Sequence, residues 1–209
     1  MESGIVPKSL TVTPGILLLV SWFLLLPQGC GPAIRDSKVT DVPVAVLASG
    51  TQEVDFGVVV EDVTKRVREL LPRAQFQGVV FAGKLQDLPG LHGTLVLSFA
   101  QVSQGLLGRK VVRATVVVNT DSQTADFYYE DVSALYPSTR SLPLPSDRVL
   151  KEVAAVAHQH AVELGLPDDQ DMTLTQRAGV WDVRCGPLQT FESKCSFGVN
   201  EVGAVEPVR

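Results

Sequence analysis

Three cysteines, three histidines and 6% aromatic residues are a thin supply of chemistry for a chain of 209 residues. No GxSxG, HExxH or CxxC motif occurs, so serine-hydrolase, zinc-protease and thioredoxin-type chemistry lose their usual sequence anchors. No Cys/His nucleophile arrangement suggests itself either. Charge of one sign is also missing: 18 Lys and Arg stand against 23 Asp and Glu, a net −5, with both signs scattered along the chain. Without a basic patch to neutralise phosphates, nucleic acid is not expected as a partner. Paired carboxylates can meet in three dimensions without a sequence signature, so the question of an enzyme stays open, with a non-catalytic protein favoured. No cofactor and no metal site is expected.

Long apolar runs are absent but for one, residues 16–30, ILLLVSWFLLLPQGC. Lys8 and the N-terminal amine precede it, and Pro27, Gln28 and Gly29 close it, which is the layout of a secretory signal. As a helix, residues 16–26 span ~17 Å, well short of a ~30 Å hydrocarbon core. A spanning helix would have to recruit Pro14 and two threonines. The end of the run, from Leu26 to Cys30, resembles the lipobox of bacterial lipoproteins. Gly29 and Cys30 match it, while Pro27 and Gln28 depart from the preferred leucine and small residue. The resemblance implies diacylglycerol on Cys30 as the mature N-terminus and a membrane partner through that anchor. A plain cleaved signal ending near Ala33, giving a periplasmic or secreted protein, and an uncleaved anchor are the alternatives.

With residues 1–29 as the signal, Cys30 is accounted for, and Cys185 and Cys195 remain as a pair in an oxidising compartment. The strand pattern around them agrees. Trp181, Val183 and Cys185 share one face of a strand, as do Cys195, Phe197 and Val199 of the next. An antiparallel hairpin with Cys185 opposite Cys195 sets Val183 against Phe197 and Trp181 against Val199. A structural disulfide is the reading, and nine intervening residues without a nearby histidine make a poor zinc site.

Along the chain, residues 30–53 mix prolines, charges and small residues and read as a tether, with an edge strand as the alternative at a short apolar patch, 44–47. A first helix is expected over 58–71, burying Val60, Val63, Val67 and Leu70 and stopped by Pro72. Strands follow at 78–82, 94–100, 110–119 and 124–130, the last two joined by a polar turn at 119–123. Residues 105–110 are a hairpin turn ahead of a strand and lack the GK[ST] sequence and following helix of a phosphate cradle. Residues 137–145 form a proline-rich linker. Ser146 or Asp147 then caps a second helix to Leu164, whose narrow face is Leu150, Val153, Ala154, Ala157, Ala161 and Leu164. Strands at 172–176, 180–185, 195–200 and 204–208 complete the chain.

The fold class is therefore α+β, with amphipathic helices on antiparallel sheet, divided as 54–136 and 146–209 into two helix-plus-sheet units. Two arrangements satisfy this order of elements, a diverged duplication or one continuous sheet carrying both helices.

The strand GVWDV at 179–183, followed by VNEVGAV at 199–205, is similar to the PepSY domain of exported bacterial proteins. The likeness covers residues 146–208, and faintly the first half. It implies a binding or inhibitory module at the cell envelope with no catalytic residues to transfer. The partner is an envelope protein, a peptide or a small ligand. An accessory enzyme or substrate carrier with a pocket between helix and sheet, of cystatin-like form, is the alternative.

Other polar residues carry less. His158 and His160 point to different sides of a helix and cannot share an ion. His92, in PGLHG, is a loop residue, and Asp168, Asp169 and Asp171 form a solvated turn too short for a calcium loop. Phe127, Tyr128, Tyr129 and Tyr136 are aromatics that a sheet could present to a ligand, though such residues more often fill the core.

Overall fold

A computed structural model describes residues 37–47, 53–105, 108–132, 141–186, 195–200 and 203–207. The first element is an edge strand, β1 (Ser37–Pro43). Helix α1 (Phe56–Leu70) follows, its N-cap Asp55 accepting the Val58 amide at 3.2 Å. Phe56, Val59, Val60, Val63 and Val67 recur at helical spacing and form its buried face. Strand β2 (Gln75–Lys84) leads through a 3-10 helix (Leu85–Gly90) into the long hairpin of β3 (Thr94–Gly105) and β4 (Gly108–Asn119), and β5 (Thr124–Asp131) returns beside β4.

The second half also runs from a helix into strands. Helix α2 (Asp147–Glu163) is capped by the Ser146 hydroxyl, which accepts the Val149 amide at 3.2 Å. Four strands follow: β6 (Asp171–Arg177), β7 (Val180–Cys185), β8 (Ser196–Asn200) and β9 (Val205–Pro207). Every pairing is antiparallel, and the strands form one sheet of order β1-β5-β4-β3-β2-β6-β7-β8-β9. Strands of both halves thus meet where β2 pairs with β6, Phe81 opposite Leu174. Of the two arrangements open to the sequence, the continuous sheet is the one observed.

One face of this sheet carries a single core. Phe81, Leu97, Val116, Phe127, Leu174, Trp181 and Val183 pack with the apolar faces of both helices, and all are at most 3% exposed. The folded unit, residues 34–209, contains this core entire. The hairpin register around the cysteines is the one that period-two alternation requires: Val183 pairs with Phe197 and Trp181 with Val199. Cys185 and Cys195 stand at disulfide distance, their Cα atoms 5.2 Å apart, with the Cys185 amide donating to the Cys195 carbonyl at 3.2 Å.

Three expectations need correction. The tether begins its structure early: residues 37–43 are β1, Val44 and Val46 are buried, and Leu47 bridges to Val54. The polar sequence SKVTDVP suits an edge strand, which needs only one pairing neighbour. Leu70 is 52% exposed, because Leu71, just past the helix, takes the buried place at 1%. Leu164 is likewise exposed at the end of α2, and Leu166 packs on the core instead. Phe127 and Tyr129 fill the core, as such aromatics more often do, and burial raises the Tyr129 pKa above its ordinary value. The signal with Cys30, most of the 137–145 linker, and Tyr136 lie outside the described residues.

Candidate functional site

The loop PGLHG is held by glycines at points of close approach. Leu91 ends the 3-10 helix in the left-handed region, at φ 54°, with its side chain wholly buried. Gly93 has φ 143°, and a Cβ there would lie 2.5 Å from the Ala82 carbonyl oxygen. A Cβ on Gly90 would meet the His92 ring at 2.7 Å. Burying Leu91 leaves His92 at the surface, where its Nδ1 lies 3.2 Å from Asp121 Oδ1.

Asp121 is placed by its own turn. The Asn119 side chain accepts the Asp121 and Ser122 amides, each at 3.0 Å, forming the polar turn between β4 and β5. Thr120, 2% exposed, latches this turn to the His92 loop. Its hydroxyl accepts the Gly93 amide at 2.8 Å and can donate to the Leu91 or Gly93 carbonyl, while its amide donates to Gly93 at 2.9 Å.

The opposite wall comes from the paired ends of β2 and β6. Lys84 and Asp171 are register partners and form an ion pair. The Lys84 pKa is raised, first by its hydrogen bond to Asp171 and then by the charges of Asp171, Asp169 and Asp87. The walls enclose a cleft of 330 Å³, lined by Lys84, Asp87, His92, Thr94, Asp121 and Asp171 with Ala82 and the adjoining glycines. It offers donors from Lys84 and His92 and acceptors from the aspartates, the chemistry of a polar or zwitterionic group held by hydrogen bonds. A second cleft, of 490 Å³, lies between residues 43–45 and the exposed side of α1, where Arg66 pairs with Asp62 and donates to the Pro43 carbonyl at 2.8 Å.

The His92 cleft opens from the sheet face opposite the core. A register row crosses that face through Asp126, Val117, Val96, Val80, Thr175 and Asp182. These side chains are half-buried, and none belongs to the core packed against the helices. The neighbouring row contains Thr94 and Ala82, which also line the cleft. At one margin Tyr128 donates to Asp126 at 3.1 Å, with the Lys38 ammonium 4.9 Å from the Tyr128 ring centre. At the other, Arg177 pairs with Asp182.

His92 and Asp171, expected in ordinary turns, are thus brought together with Lys84, Asp87 and Asp121. His158 and His160 are not part of the cleft. The His160 ring meets Phe197 edge-on at 4.7 Å, with Nδ1 3.5 Å from Glu163. Among the described residues no group of three or more His, Cys, Asp or Glu is arranged to hold a metal ion, and no described helix is long and apolar enough to cross a membrane. Compared with family models, curated proteins and solved structures, the chain gives no match.

Proposed function

We propose that this chain is an exported, lipid-anchored protein of the bacterial cell envelope, and that it acts as a non-catalytic binding or inhibitory module. Its partner is an envelope protein, a peptide or a small ligand, met by the open sheet face and the His92 cleft. The observation that carries this reading over a carrier or accessory enzyme is the filled space between helices and sheet. Among the described residues Phe56, Val63, Val67, Ala154, Ala157, Leu97 and Leu174 are all 0% exposed, so the space they line is packed rather than open to a substrate. Recognition then falls to the uncovered face, whose valines and threonines supply apolar contact and whose cleft supplies polar selection.

The PepSY-like reading of the second half draws support from the element order, with both halves joined in one sheet. Each half runs helix and then four strands, the halves meet antiparallel at β2 and β6, and each ends in a hairpin turned at an asparagine, Asn119 or Asn200. An oxidised Cys185–Cys195 pair belongs to the same picture of an exported chain.

The test is photo-crosslinking in cells. A photoreactive residue replacing Thr94 or Val96 in the full chain should capture a discrete envelope component, and one replacing Glu61 on the solvent side of α1 should not. Equal capture from both positions, or none from the open face, contradicts the reading.

A further inference from the structure

The charges that line the His92 cleft do not balance. The carboxylates of Asp87, Asp121 and Asp171 stand against one ammonium, that of Lys84, which leaves an excess of negative charge with the imidazole neutral. Lys84 is occupied by Asp171 and His92 by Asp121. Among the described residues no hydrogen bond or ion pair engages the carboxylate of Asp87, which is half-buried. Asp169 adds to the field, since its charge acts on the Lys84 ammonium together with those of Asp171 and Asp87. A half-buried carboxylate in negative surroundings is stabilised by a cation brought within reach.

The kind of cation follows from where the carboxylates stand. Asp87 comes from the 3-10 helix, Asp121 from the turn after β4 and Asp171 from the start of β6, and among the described residues they are not arranged to converge on a metal ion. Acceptors spread around a volume of 330 Å³ suit a group with several N–H donors fixed in one plane, which is the guanidinium of arginine. The cleft also opens beside apolar surface. Thr94 and Ala82 line it, and the next row of the open face carries Val96 and Val80. The methylene stem of an arginine can lie along that row while its charged end enters the cleft.

We propose that the His92 cleft takes an arginine side chain of a polypeptide partner, with Asp87 as its counter-ion. The inference rests on the binding-module reading above and names the group recognised. Asp121 and Asp171 accept further N–H groups on lone pairs that their own pairings leave open. Lys84, the one lysine lining the cleft, opposes the incoming charge and turns it toward Asp87 and Asp121.

The test titrates the isotope-labelled full chain, in detergent micelles, with two probe peptides followed by NMR. One is acetyl-valyl-arginyl-valine amide, and the other carries citrulline in place of arginine, which keeps the shape and removes the charge. The arginine peptide should shift the amide resonances of Asp87, Gly93 and Asp121 to saturation, and the citrulline peptide should bind about tenfold more weakly or worse. Asp87→Asn should weaken the arginine peptide about fivefold or more, with the melting curve unchanged because that carboxylate has no partner to lose. Lys84→Met should tighten it. Equal binding of the two peptides, no saturation by ~10 mM, saturable shifts only at other amides, no effect of Asp87→Asn, or weaker binding by Lys84→Met overturns the proposal. Crosslinking from positions 94 and 96 is scored apart. Capture without a preference for arginine leaves the binding-module reading standing and overturns this inference, and the preference without capture upholds the cleft and removes the envelope partner.

Discussion

The carboxylate of Asp147 accepts the backbone amide of Phe56 at 2.8 Å, so the first residue of α2 caps the first turn of α1 across 91 positions of sequence. A negative group at a helix N-terminus satisfies an orphan amide and faces the positive end of the helix dipole. Lys151, 3.0 Å from the same carboxylate, holds it in place.

Asp147→Ala should therefore cost about 1–2 kcal/mol, the range of a lost cap, and Asp147→Asn less, because an acceptor remains. Urea denaturation of the two variants checks the order. Equal loss in both would mean that the charge, and not the hydrogen bond, matters.

Gly93 and Gly165 both have positive φ but differ in surroundings. A Cβ at Gly93 meets the Ala82 carbonyl, and at Gly165 it meets nothing within 4 Å. Gly93→Ala should lose ~3 kcal/mol or more, and Gly165→Ala only ~1 kcal/mol, the cost of the left-handed backbone alone. Melting temperatures of the pair decide this.

Thr120→Val should cost ~1–3 kcal/mol, since it strands the Gly93 amide beneath the His92 loop. Hydrogen exchange should then speed at Gly93 and Leu91 before it speeds in β4. Uniform acceleration across the sheet would contradict a local latch.

Asp126 lies below its ordinary carboxylate pKa, chiefly because it accepts the Asp41 amide, with Tyr128 and Lys38 adding to the effect. A depressed folded pKa means that its contribution to β1 docking is complete above the ordinary value of ~3.9 and fades as pH falls through the lower folded value. Exchange at the Asp41 amide should therefore gain protection as pH rises through that window once the intrinsic rate is divided out. Asp126→Asn should flatten the dependence.

Free-thiol labelling of the unfolded, unreduced chain should mark neither Cys185 nor Cys195, and reduction should cost ~2–3 kcal/mol for a loop of this size. Labelling of both in the untreated protein would remove the disulfide from the account.

Much of the fold is legible because local and long-range demands coincide. The alternation through Trp181, Val183 and Cys185 admits one register with Cys195, Phe197 and Val199, and the structure adopts it. Helix faces are readable until the last turn, where Leu71 and Leu166 just beyond the helices compete with Leu70 and Leu164 for the same core. Strand β1 escapes notice because an edge strand of polar residues has no periodicity to display. The cleft escapes for a different reason. His92, Asp121, Lys84 and Asp171 come from separate parts of the chain and meet only through the pairing of β2 with β3 and β6 and of β4 with β5. The signal that could have found it is the glycine on either side of Leu91 and His92, a spacing that forces a tight loop and leaves the imidazole outside.

The lipid anchor proposed above depends on what becomes of Cys30. Mass spectrometry of the mature N-terminus tests this most directly. The account predicts a chain that begins at Cys30 and carries diacylglycerol, and an unmodified N-terminus at Ile34 would contradict it.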